Sequence, residues 1–216
     1  MDSLKSLGID DNTIILFTSD HGCHFKTRND EYKRPCHEAS IRVPTAIWGP
    51  GFQGGGRLPQ LCSLVDLPAT LLDAADIEVP ASLMGHSIKQ LLADRNTEWP
   101  DDVYVQISES HTGRCVRTQR YKYSVRCPAV GEDGKPLDTD QADKYVDDFL
   151  YDLQSDPWEL TNLIGMAPFK EVVADMRARM VRRMESCGEP VPTFIDAPEA
   201  FAFQRQPEFH GGSRLS

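Results

Sequence analysis

Residues 13–22 read TIILFTSDHG. Ile14, Ile15, Leu16 and Phe17 form a continuous apolar run, and a short run of β-branched and aromatic residues suits a strand buried on both faces of a sheet. The run breaks off into Thr18, Ser19, Asp20, His21 and Gly22. A carboxylate and an imidazole therefore stand side by side where the strand leaves the sheet. In open α/β sheets, ligands gather at the carboxyl ends of strands, so Asp20 and His21 offer half of a metal site. Gly22 lets the backbone turn away at once. The same residues also suit a polar strand-end turn in which Asp20 caps backbone N–H groups. A motif this short leaves both readings open.

The next segment, Lys33 to Pro44, reads KRPCHEASIRVP. Lys33 offers a mobile point charge with three donors, suited to a tetrahedral anion. Arg34 and His24 are nearby competitors for that role. His24 also suits proton donation to a leaving group, since an imidazole ordinarily titrates near neutrality. Glu38 and Arg42 carry opposite charges and read as a structural pair that pins the loop. Thr45 to Trp48 is a second apolar strand, closed by Gly49-Pro50-Gly51.

TSDHG, then Lys33 and Glu38, then Arg42-Val43-Pro44, an apolar strand and Gly49-Pro50-Gly51 resemble the sulfatase family of the alkaline phosphatase superfamily. Later stretches keep the family order. Ser63 to Pro80 (SLVDLPATLLDAADIEVP), Met84 to Ser87 (MGHS), Arg117 with Tyr121-Lys122-Tyr123, and Leu150 to Leu163 (LYDLQSDPWELTNL) each resemble a family landmark. The resemblance runs from residue 1 to about 185, and the ordered series is far more specific than any one match. It implies a sulfatase-like α/β fold, with Asp20 and His21 as metal ligands and Lys33 on the substrate sulfate or the leaving oxygen. It further implies hydrolysis of a sulfate ester, on a sulfated small molecule or a sulfated glycan. The implied ion is divalent, calcium by family habit, while an imidazole ligand leaves manganese or zinc open. Phosphonate and phosphate diester hydrolases that look like sulfatases share the Asp-His pair and give the alternative activity.

Sulfatases take their nucleophile from a C-x-P/A-S-R motif whose Cys or Ser becomes formylglycine. Here Cys36 is followed by His37-Glu38-Ala39-Ser40 and Cys62 by Ser63-Leu64-Val65, so neither fits. The chain thus resembles the C-terminal half of a sulfatase, with the formylglycine and an Asp-Asp metal-binding pair expected in an N-terminal part. Asp10-Asp11 precedes the strand at its opposite end and is not that pair. As a fragment without a nucleophile the chain is expected to be inactive alone, since covalent catalysis needs one. A non-catalytic pseudo-sulfatase or binding fragment is the third reading.

Composition narrows the field further. The chain has 216 residues, 40% hydrophobic and 26% charged, which is ordinary globular composition with enough length for a sizeable core. Its formal net charge of -10 argues against a nucleic-acid partner and against docking on anionic membranes. An anionic substrate would be drawn by local positive charge instead. Met1 to Lys5 lacks the basic and apolar regions of a signal peptide, and no apolar stretch is long enough to span a bilayer. The six cysteines include no C-x-x-C. Cys115 and Cys127 flank two expected strands and suit either a disulfide or free buried thiols. Cys23-His24 and Cys36-His37 fit zinc spacing poorly and read as loop residues around a site mouth.

Along the chain, residues 1–8 read as a helix end stopped near Gly8. Gly51 to Gly56 is a flexible turn without the spacing of a phosphate loop. Asp66 to Ala75 is helical, with Asp66 capping and Leu67, Leu71 and Leu72 forming the apolar stripe. Ser87 to Ala93 is a short helix, and Asp94 to Asp102 a joint. Val103, Val105 and Ile107 then alternate with polar residues as a strand does. Cys115–Thr118, Tyr121–Arg126 and Phe149–Leu153 follow as strands, and short strands in series favour antiparallel pairing. Pro128 to Asp148 reads as an exposed loop. From Pro168 to Ser186, Val173, Met176, Met180 and Met184 mark one face of a helix. The expected architecture is a sulfatase-like mixed α/β sheet with flanking helices over 1–95. A small antiparallel sheet packed with a C-terminal helix follows over 96–190, and 191–216 is an extended surface tail.

Overall fold

The computed structural model describes residues 1–29, 32–136 and 138–200. The chain forms two compact units, one of Met1–Asp20 with Val43–Asp101, the other of His21–Arg42 with the chain from Asp102 onward. No helix among the described residues is long and apolar enough to cross a membrane.

In the first unit, α1 (Asp2–Leu7) ends where Gly8 takes φ 67°. There the Gly8 N–H reaches Lys5 O at 3.0 Å and the Ile9 N–H reaches Leu4 O at 3.1 Å, a left-handed helix stop that favours glycine. β1 (Ile15–Phe17) pairs antiparallel with β2 (Ala46–Trp48), Leu16 opposite Ile47. The sequence led us to expect a strand covered on both faces. Instead β1 has β2 as its one strand neighbour among the described residues, and Phe17 is 65% exposed. An apolar run records the burial a strand is suited to, and says nothing of which neighbours supply it.

α3 (Asp66–Ala74) buries Leu67, Ala69 and Thr70, while α4 (Lys89–Ala93) buries Leu91. Asp66 does not cap its helix as expected. It sits inside the first turn, and its carboxylate accepts the Ser63 N–H at 2.7 Å and the His86 N–H at 2.8 Å. It therefore fastens the 83–87 turn to the helix start. Asp73 does the same about two turns along the same face, receiving the Ser87 hydroxyl and the Lys89 ammonium.

The second unit is a five-stranded sheet in the order β3 (Asp102–Ile107), β4 (Gly113–Thr118), β5 (Tyr121–Arg126), β6 (Lys144–Asp152), β7 (Thr193–Ile195). The first four strands pair antiparallel, and β7 joins β6 in parallel. β6 begins inside the stretch expected as a loop. β7 likewise falls in the expected tail, where a three-residue strand among prolines leaves little periodicity to read; residues 201–216 of that tail lie outside the described ones. Because side chains alternate across a strand, the sheet has two separate faces. On one, Val116, Tyr123, Val125 and Leu150 meet Met176, Met180 and Met184 of α5 (Lys170–Ser186) in the main core. This is the methionine face read from the sequence, and each buried side chain contributes roughly 1.5–3 kcal/mol. Arg183 Nε reaches Asp102 Oδ1 at 2.5 Å and Arg179 Nη1 reaches Asp102 Oδ2 at 3.2 Å, tying α5 to β3.

The other face carries Cys115 and Arg117 on β4, Lys122 and Ser124 on β5, and Phe149 and Tyr151 on β6. The segment Cys36-His37-Glu38 lies across it. Cys36 packs with Ile107 and Cys115, His37 Nε2 stands 3.1 Å from the Tyr151 hydroxyl, and Glu38 meets Arg117 and Lys122. Cys115 and Cys127 cannot pair, because Cys127 belongs to the α5 face.

Candidate functional site

Asp20 ends the first of the two stretches that make up the first unit and is exposed there, with the Ser19 hydroxyl 3.5 Å from its Oδ1. His21 opens the second unit. Its Nδ1 lies 2.8 Å from Gly22 O and its Nε2 3.1 Å from Lys33 Nζ. The lysine ammonium can only donate, so Nε2 supplies the lone pair and Nδ1 carries the proton given to Gly22 O. Tyr32 completes the group, its ring centroid 5.6 Å from Lys33 Nζ and 6.0 Å from the His21 ring.

Backbone contacts hold this geometry. The Gly22 N–H donates to Ser40 O at 2.7 Å, and a Cβ on residue 22 would stand 2.1 Å from Ala39 O. Glycine is required by that close approach. Farther out, the His24 N–H donates to Tyr32 O at 2.8 Å, and Phe25 and Lys26 turn the chain at φ 51° and 60°. His24 itself is buried, and its carbonyl accepts the Thr27 N–H and hydroxyl. Arg28 extends from the same loop to the carbonyls of Trp158 and Glu159 at 2.5 and 2.8 Å.

The return arm is anchored by a buried ion cluster that sequence reading missed. α2 (Glu38–Ile41) is a single turn in what looked like a loop. Lys122 is 0% exposed, and its ammonium lies 2.6 Å from Glu159 Oε1 and 2.7 Å from Glu38 Oε1. Glu159 Oε2 accepts the Glu38 N–H at 2.8 Å, and Arg117 donates to both Glu38 oxygens at 3.2 and 3.3 Å. Burial pushes the Glu38 carboxyl up, but the Lys122 and Arg117 charges outweigh it and hold the group below its ordinary value. Burial likewise disfavours the Lys122 charge, but the Glu159 carboxylate, and then Glu38, outweigh it and hold its pKa above the usual lysine range. Arg42, expected as the main partner of Glu38, is peripheral at 3.9 Å and exposed.

Arg34 points to a second anchor. Its Nε pairs with Glu109 Oε2 at 2.7 Å, and its carbonyl accepts the Ser110 hydroxyl at 3.0 Å. Ser110 Oγ also stands 3.0 Å from His111 Nδ1. Burial and the neighbouring Arg126 charge push the His111 pKa down. The β3–β4 loop therefore grips the residue next to Lys33. Its only sequence signal is the polar Ser108-Glu109-Ser110-His111 run after an alternating strand. As for the two Cys-His dipeptides, Cys36 and His37 are spent on the sheet face, and no group of three or more metal-binding side chains occurs among the described residues.

The family model described as N-sulphoglucosamine sulphohydrolase, C-terminal, matches residues 30–186. The chain belongs to this sulfatase family. A similar curated relative is an arylsulfatase of Clostridium perfringens, 31% identical over 193 residues that cover 85% of this chain and 36% of the relative. Among solved structures, BT4656 in complex with its substrate D-glucosamine-2-N,6-O-disulfate superposes with a TM-score of 0.69 at 24% identity, covering 88% of this chain and 38% of that one. The phosphonate monoester hydrolase of Silicibacter pomeroyi gives 0.69 at 20% identity, covering 86% and 37%. These structural likenesses establish the fold. The sulfatase chain thus spans about a third of the length of the curated relatives it matches.

Proposed function

We propose that this sulfatase region supplies part of a metal-dependent sulfate-ester hydrolase site, with Lys33 as its cationic contact to the sulfate group. The observation that carries the reading is Lys33 Nζ held at 3.1 Å from His21 Nε2 on a loop pinned at both ends. Asp20 offers a hard oxygen donor. His21 fits a metal ligand, because a ligating imidazole commonly gives its other N–H to a backbone carbonyl, as Nδ1 does here to Gly22 O; the Nε2 lone pair that accepts from Lys33 here would turn to the cation and release the Lys33 ammonium to the sulfate. A divalent cation, calcium in this proposal, would neutralise charge on the sulfate oxygens.

Lys33 would then hold one nonbridging or leaving oxygen, and its flexible stem lets the ammonium follow charge as it builds. His24 is the proposed proton donor to the leaving group, in second place because it is buried. Further metal donors and a formylglycine nucleophile would come from sequence outside these residues, so the chain alone is expected to turn over no sulfate ester. The substrate class is a sulfated sugar. Support comes from the family description, which names a sulphoglucosamine, and from the substrate of the structural neighbour.

Kinetics on a parent protein that includes the nucleophile motif test the assignment. Lys33→Ala should lower kcat/KM on aryl sulfates and glucosamine sulfates by roughly two to four orders of magnitude, with the melting temperature unchanged. Near-normal Lys33→Ala activity beside a collapse for His24→Ala or Arg34→Ala would move the role. A phosphonate monoester turned over faster than every sulfate ester would move the activity.

A further inference from the structure

Cys36 lies in the segment that carries His21 and Lys33, and Cys115 lies at the centre of β4. Both are buried, at 2% and 0% exposure, in one cluster with Ile107. The sheet register fixes their proximity. Cys115 stands opposite Ser124 across β4–β5, so their side chains share a face and adjoin. Cys36 Sγ is 3.4 Å from Ser124 Oγ, which seats its sulfur over the Cys115–Ser124 pair. The remaining cysteines are elsewhere: Cys127 is on the α5 face, Cys62 and Cys187 are exposed, and Cys23 is half-buried.

We propose that Cys36 and Cys115 are a cross-linking site, closed to a cystine when the chain folds in the presence of a small-molecule disulfide such as glutathione disulfide. The Cys36 thiolate, exposed before its segment docks, attacks one glutathione sulfur, breaking that disulfide and releasing one glutathione thiolate. The Cys115 thiolate then attacks the Cys36 sulfur, forming the protein S–S bond and expelling the second glutathione. Two protein thiols lose two protons and two electrons, and one glutathione disulfide becomes two glutathione thiols. Once docked, the thiols are sealed from solvent, and the neighbouring Cys36 thiol together with burial pushes the Cys115 thiol up, toward the unreactive protonated form. The bond therefore forms during docking, and its effect is to staple the His21–Arg42 segment to the sheet. The inference stands independently of the hydrolytic reading.

The test folds the full chain in a mixed glutathione buffer, alkylates it under denaturing conditions and maps the peptides. A Cys36–Cys115 linked peptide is expected, with the other four of the six cysteines alkylated. In Cys36→Ser, Cys115 should be alkylated as well. Six alkylated cysteines, or a different linked pair, would overturn the assignment. Hydrogen exchange reads the stapling: amides of residues 21–42 should exchange at least about tenfold more slowly in the oxidised chain than in the reduced one. Equal rates would refute the claim that the bond holds the segment.

Discussion

Lys122→Met is the sharpest probe of how the site-bearing segment is held. The substitution keeps much of the side-chain volume and removes a fully buried charge lying 2.6 Å from Glu159 and 2.7 Å from Glu38. Glu38 keeps Arg117, but Glu159 is left with the Glu38 N–H at 2.8 Å. Breaking a buried ion pair from one side costs about 3–5 kcal/mol, because the surviving charge stays buried. For a chain of this length that lowers the melting temperature by roughly 6–20 °C. The pH dependence supplies the stricter test. In the wild type the folded Glu38 value lies below the unfolded one. Its contribution is therefore complete above the unfolded carboxylate pKa of about 4.3 and is lost as pH falls through the lower folded value. Without Lys122 the burial effect on Glu38 dominates, its carboxyl gains a proton on folding, and stability falls as pH rises through the same range. Urea denaturation from roughly pH 4 to 7 should show a Lys122→Met deficit that is small at the acid end and full at neutrality. A deficit independent of pH, or below about 1 kcal/mol throughout, would refute the account of the cluster as the segment's anchor.

Other outcomes follow from single contacts. Gly22→Ala should destabilise the second unit by about 1–3 kcal/mol or more, read by thermal melts, since its Cβ would stand 2.1 Å from a backbone oxygen with no flexible side chain to give way. Met180→Ala, at the centre of the α5 core, should cost about 2–5 kcal/mol in denaturant titration, whereas exposed Met84→Ala should stay within about 0.5 kcal/mol.

The elements legible in the sequence were those whose period is written in neighbouring residues. The hairpin of β4 and β5 followed from two short strands in close series, and α5 from methionines spaced three and four apart. β1 and β7 show where such reading fails. The apolar run of β1 was clear, yet Phe17 is exposed, because cover depends on neighbours that a run does not name. β7 is three residues long and is defined by its parallel pairing with β6, which no local pattern encodes.

The candidate site divides along the same physical line. Lys33 and His21 stand out by residue type and order, and the structure brings their nitrogens to 3.1 Å. Lys122 was read only as a strand residue and Glu159 only as part of the Leu150–Leu163 landmark, because a strand assignment alone does not say which face of β5 is covered. Only the arrival of Cys36-His37-Glu38 on that face makes it an interior. A lysine on such a face needs a carboxylate, and it finds two from distant parts of the chain. The demand follows from the cost of an unpaired buried charge. The three-dimensional fold alone decides which carboxylates meet it, and so links the position of Lys33 to residues whose sequence signal is purely structural.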